Sequence, residues 1–124
     1  MQASDPIAGL WVVADTAADG VLTLTMTGEL SITTAETART QLTALLERSP
    51  APQARLDLSG LDFCDLAGLR LLLHVSAQTA AAGRAVRVSA ASPAVDYLLT
   101  LTRTAPSLGY QPAAESPPDG TRSA

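Results

Sequence analysis

The sequence has no lysine and no asparagine, one histidine, one cysteine and four aromatic residues among 124. Each scarcity removes a kind of chemistry. Without lysine there is no Schiff base and no lysine-held phosphate. A lone Cys64 excludes an internal disulfide, and Cys64 with His74 is too small a ligand set for a zinc site without carboxylate help. No window holds the ~18 to 20 apolar residues of a membrane span. The opening MQASDPIAGL has no basic segment ahead of an apolar one, so no signal peptide is expected and the cytoplasm is the expected location. All eight basic residues are arginines, scattered along a chain of net charge −4. That balance speaks against nucleic acid, whose phosphates need clustered cations, and against an anionic membrane surface. No metal or cofactor is expected.

What is present is aliphatic. Twenty-three residues are alanine and 47% are hydrophobic, a bias that fits GC-rich bacterial coding and one ordinary globular domain. A chain this long buries roughly two thirds of its unfolded surface, enough for a core without a metal or a disulfide. Residues 1–9 and 112–124 are rich in Ala, Ser, Pro and acid and have little to bury, so they are expected to be a flexible N-terminus and a disordered tail around a domain at 10–111.

Within the domain, Leu10 to Ala14 is a short apolar run, and VLTLTMT alternates Leu22, Leu24 and Met26 with Thr23, Thr25 and Thr27. That is strand periodicity with one wet side, and the two runs are expected to pair as a hairpin across Asp19-Gly20. Thr33-Thr34-Ala35-Glu36 reads as a capping box, opening a helix with Ala35, Ala38, Leu42, Leu45 and Leu46 on one stripe and ending before Ser49-Pro50. ARLDLSG is a short strand. A second helix runs from Leu66 to about Ala82, with Leu69, Leu72, Leu73, Ser76 and Ala80 as its apolar stripe and Gly83 after its last turn. AVRVSA is a further strand, and Ser92-Pro93 opens a third helix burying Val95, Leu98, Leu99 and Thr102. Leu108 to Tyr110 is either a last strand or an anchored loop. The order β-β-α-β-α-β-α implies an α/β fold: a mixed sheet of four to five strands with helices largely on one face, because strands joined through helices run parallel by right-handed crossovers.

Enzyme motifs are absent: there is no G-x-G-x-x-G, Walker lysine motif, G-x-S-x-G or H-E-x-x-H. His74 shares a helical row with Ala67, Arg70 and Gln78, away from the leucine stripe, and no nucleophile pairs with it. It reads as a solvated or partner-facing histidine. Cys64 reads as a small packed hydrophobe. The distinctive junction is LDLSGLDFCDLAGLRLLL, where a strand ends and a helix starts within a few residues. Asp65 is placed as the helix N-cap, Leu66 follows it, and Gly68 in the first turn permits a close approach either by a partner or inside the domain.

GELSITTAETARTQL, RLDLSGLDFCDLAGLRLLL and RVSAASPAVDYLLTL, in that order and spacing, resemble the STAS domain of bacterial anti-sigma factor antagonists over about residues 10 to 110. The resemblance implies a STAS-like fold in a non-enzymatic module. Its helix start and adjacent loops would dock on an anti-sigma factor or serine kinase-type regulator. In that family a Ser or Thr directly after the aspartate at the helix start is phosphorylated by the partner, which breaks the complex. Here Asp65 matches the aspartate and the acceptor position is Leu66, while Ser31 stands where aspartate is usual after the GEL segment. The implied partner-binding residues are Ser31, Asp65, Leu66 and Gly68, with no phosphorylation at the family position. Leu66 is then either an exposed apolar anchor or packs inward. Ser31, Thr33 and Thr34 are nearby candidates for substitute acceptors, and Thr33 is more simply the cap. The alternative within the resemblance is a STAS accessory or ligand-sensing subunit, for example of a phospholipid-transport ATPase complex.

Overall fold

Alternating leucine and threonine produce a strand with one dry and one wet side. In the computed structural model, which describes residues 2–3 and 9–112, β3 (Leu22–Leu30) buries Leu22, Leu24 and Met26 and leaves the intervening threonines partly or fully exposed. It pairs antiparallel with β2 (Leu10–Thr16) across the expected hairpin. The Asp19 carboxylate accepts from the Val21 N–H at 3.0 Å, tightening the turn. Ahead of them β1 (Gln2–Ala3) adds a two-residue antiparallel edge on β2, in register with Val13 and Ala14, inside the stretch expected to be flexible. Residues 1, 4–8 and 113–124, the remainder of the expected flexible termini apart from Gly9 and Pro112, lie outside the described residues.

The rest follows the expected order: α1 (Ala35–Arg48), β4 (Gln53–Cys64), α2 (Leu66–Ala81), β5 (Ala85–Ala91) and α3 (Pro93–Thr102). The sheet order is β1-β2-β3-β4-β5, with β3, β4 and β5 mutually parallel. The dry sides of the strands and the apolar stripes of the helices close one core, in which Leu24, Met26, Leu42, Leu56, Leu58, Leu72 and Leu99 are fully buried. Ser92 caps α3, accepting from the Val95 N–H, with proline in the first turn as expected. After α2, Gly83 takes φ +81, a left-handed conformation that costs glycine little, while the Arg84 N–H returns to the Thr79 carbonyl. The Arg84 guanidinium then donates to the carbonyls of Leu46 and Ala51, tying the end of α2 to the end of α1.

Other details differ from the sequence reading. α3 buries Val95 and Leu99 only, with Leu98 and Thr102 half-buried. β4 is twelve residues long and not a short strand, because register shifts against β3 reset the alternation so that Leu58 and Leu61, three apart, are both buried. The buried stripe of α2 is Leu69, Leu71, Leu72, Val75 and Thr79, with Ala80 exposed and Ser76 only half-buried. Thr79 tolerates burial because its hydroxyl donates to the Val75 carbonyl at 2.7 Å. Of the two readings open for Leu108 to Tyr110, the structure shows the anchored loop: a 3-10 turn at Pro106–Leu108 buries Leu108, and the Tyr110 hydroxyl donates to Asp96 on α3.

Candidate functional site

β3 and β4 run parallel and end side by side, with Leu30 opposite Cys64. The turn from β3 into α1 and the step from β4 into α2 therefore lie next to each other, and Asp65 joins them. Its backbone N–H donates to the Leu30 carbonyl at 3.2 Å. One carboxylate oxygen caps α2, accepting from the Gly68 N–H at 2.9 Å. The other accepts from the Ile32 N–H at 3.0 Å, 33 residues away in the chain. An N-cap carboxylate also meets the positive end of the helix dipole, so the charge is favourable where it stands.

The first turn of α2 turns Leu66 outward, where its side chain is 57% exposed. Of the two readings open for Leu66, the structure shows the exposed one. Beside it Ile32 is 77% exposed, held in place by the bond from its own N–H to Asp65. Two aliphatic side chains thus flank a carboxylate each of whose oxygens accepts a hydrogen bond within the domain. Ser31 lies at the base of the same turn: its carbonyl accepts from the N–H groups of Thr34 and Ala35, and its hydroxyl accepts from the Thr33 N–H.

Gly68 belongs behind this surface. It is buried, and a Cβ there would stand 2.6 Å from the Leu30 carbonyl oxygen, 2.8 Å from the Leu30 Cγ and 3.0 Å from the Cys64 Sγ. Its close approach is to the end of β3 inside the domain, so it shapes the site without presenting contact surface. Ser31, Asp65 and Leu66 are brought together; Gly68 supports them from within. Ile32 was missed in the sequence, where the only sign is an isolated branched aliphatic residue between serine and threonine in a polar turn.

The capping box does not form. α1 starts after Thr34, and no side chain caps its first turn. The Thr34 hydroxyl is turned into the fold instead, donating to the Glu29 carbonyl at 3.1 Å and accepting from the Ser31 N–H at 3.0 Å, and the residue is only 3% exposed. Glu36 pairs with Arg39 on the helix surface, and that guanidinium holds its carboxyl below the usual carboxylate value. Thr33 is left exposed.

The remaining chemistry-bearing groups are quiet. Cys64 packs against the core beside Leu30 and Gly68, and burial, with Asp65 next to it, pushes its thiol up to about 12. Such a thiol stays protonated and is a poor nucleophile. His74 is exposed on the outer side of α2. Among the described residues no group of three or more His, Cys, Asp or Glu side chains is placed to hold a metal ion, and no helix is long and apolar enough to cross a membrane.

The model of the family described as "Mlab, STAS domain" matches residues 13–105. The chain belongs to the STAS domain family. Solved STAS-type structures share its architecture. An anti-sigma factor antagonist from Mycobacterium paratuberculosis is similar over 89% of this chain and 92% of its own, with 24% identity and a TM-score of 0.68. The antagonist SpoIIAA in its unphosphorylated form is similar over 91% of this chain and 97% of its own, at 17% identity and a TM-score of 0.64. An antagonist STAS domain from Rhodobacter sphaeroides matches 65% of this chain and 86% of its own, at 20% identity and a TM-score of 0.56. At these identities the likeness is one of fold, and it fits the expected α/β order of strands and helices.

Proposed function

We propose that this STAS domain is a non-enzymatic cytoplasmic binding module that docks on an anti-sigma factor or a related serine kinase-type regulator. Its surface is built from Ser31, Ile32, Asp65 and Leu66, and it works without the serine switch of the family. The observation that carries this reading is the exposed Leu66 in the first turn of α2. Leucine has no hydroxyl to receive a phosphoryl group, and an apolar contact there is not broken by an added charge. Together with Ile32 it offers aliphatic area whose burial stabilises a complex by roughly 25 cal/mol per Å². The nearby hydroxyls make weak substitutes, since Thr34 is buried and bonded on both sides and Ser31 is engaged in its turn. Solved structures named as anti-sigma factor antagonists share this fold, which supports a docking role for the chain.

The test is to mix the purified protein with the anti-sigma kinases encoded near it, with and without ATP, and to follow complex formation by size-exclusion chromatography and mass spectrometry. A complex that persists in ATP with no phosphate on this chain is expected. Failure to bind any of them overturns the partner class, and ATP-dependent release with phosphate incorporation overturns the unswitched mode.

A further inference from the structure

The wet side of the sheet carries a second feature, far along β4 from the Asp65 junction. Arg55 on β4 and Arg87 on β5 stand directly opposite each other in the parallel register. Both alternate with buried neighbours, Ala54 and Leu56 in one strand and Val86 and Val88 in the other, so both project from the same side. Like charges at facing positions repel. Arg55 is answered by Asp19, 2.8 Å away. For Arg87 no carboxylate among the described residues lies within ion-pair distance.

The Arg87 side chain is nevertheless held. Gly109 lies against it so closely that a Cβ there would come within 3.1 Å of both Cγ and Nε. The next residue, Tyr110, is fastened to α3 by its 2.7 Å hydrogen bond to Asp96. Between this anchored loop and the strands is a cavity of about 380 Å³, lined by both arginines, Gln53, Ser89, Val21 and Tyr110. Its size is that of a small-molecule site, and its wall mixes cations with apolar and aromatic area.

We propose that this cavity binds a small organic anion, its phosphate or carboxylate group held by Arg87 beside the Asp19-paired Arg55 and its body against Val21 and Tyr110. A guanidinium offers two parallel donors to either group, which suits both. This site is independent of the docking surface at Ile32 and Leu66.

The experiment is a titration of the ¹⁵N-labelled full chain with phenyl phosphate, benzoate and inorganic phosphate, followed by amide chemical shifts. Saturable shifts confined to the neighbourhood of Arg87, Ser89, Gly109 and Tyr110 are expected with phenyl phosphate or benzoate, and the tighter of the two identifies the anionic group. Arg87→Gln is expected to weaken binding at least about tenfold, the loss that removal of one charge-assisted hydrogen bond produces. Arg87→Lys, which keeps the stem and the charge, retains part of the affinity and serves as the folded control. Absence of saturable shifts, shifts centred on Ile32 and Leu66, or equal binding by Arg87→Gln overturns the proposal. Inorganic phosphate binding as tightly as phenyl phosphate overturns the role of the apolar wall.

Discussion

The carboxylate of Asp65 reaches back to the N–H of Ile32, so the start of α2 and the turn before α1 are one unit although 33 residues separate them. The other oxygen of the same carboxylate caps α2 at Gly68. One side chain therefore sets both the helix end and the loop that carries an exposed aliphatic residue.

Replacing Asp65 by alanine removes both bonds. Loss of an N-cap costs about 1 kcal/mol, and loss of the second, exposed hydrogen bond to the Ile32 N–H costs up to about 1 kcal/mol more. Urea denaturation of Asp65→Ala is expected to show a loss of about 1 to 2 kcal/mol with an unchanged m-value. Asp65→Asn, which keeps an acceptor, is expected to lose about half as much.

Gly68→Ala sets two effects against each other. Alanine gains about 1 kcal/mol of helix propensity over glycine, but its Cβ would overlap the Leu30 carbonyl, which is backbone and cannot turn aside. Overpacking of this kind costs about 1 to 3 kcal/mol. A lower melting temperature than wild type is the expected outcome, and an increase would show that the end of β3 yields freely.

Leu66→Ser touches only exposed surface, so stability is expected to change by less than about 0.5 kcal/mol. Affinity for a cognate regulator is expected to fall, since an apolar contact is lost. Serine at this position also gives the helix start a hydroxyl. If the regulator is an active kinase, mass spectrometry is expected to find phosphate on the variant and none at residue 66 of the wild type.

Cys64 makes stability depend on alkaline pH. The thiol is raised in the folded chain from the ordinary value near 9.0 to about 12. Below 9 both states hold the proton and stability is level. Above it the unfolded chain releases the proton and the folded chain does not, so stability declines as pH rises towards 12. The decline should be steeper in wild type than in Cys64→Ala, measured as the difference between their urea midpoints across that range. In the folded protein a thiol-reactive disulfide reagent at about pH 8 is expected to react slowly, and rapidly once urea is added.

The order of elements was legible in the sequence because alternation in β3 and the stripe of α1 are local patterns, and both reappear as drawn. Asp65 as the cap of α2 was legible for the same reason. What escaped depended on distant partners. Thr33 looked like the cap of α1 because of its spacing from Glu36, yet Thr34 closes the turn by bonding Glu29 and Ser31, and Glu36 turns to Arg39. The length of β4 was hidden where its irregular pairing with β3 breaks the period of two at Ser59 and Gly60. Ile32 gave no periodic signal at all, and only the bond to Asp65 shows that it belongs to the site. Gly68 was seen as a point of close approach, but which neighbour approached it could not be read without the fold.

The order of strands across the sheet is also their order along the chain. Each strand finds its only new neighbour in the one synthesised just before it, so no pairing must wait for a distant segment and every closure spans a single hairpin or a single helix. Such a topology can be laid down from one edge as the chain leaves the ribosome, each strand covering the open edge of its predecessor. Among the described residues the last edge, β5, is covered by no further strand, and Arg87 within it puts a charge where another chain's strand would otherwise add.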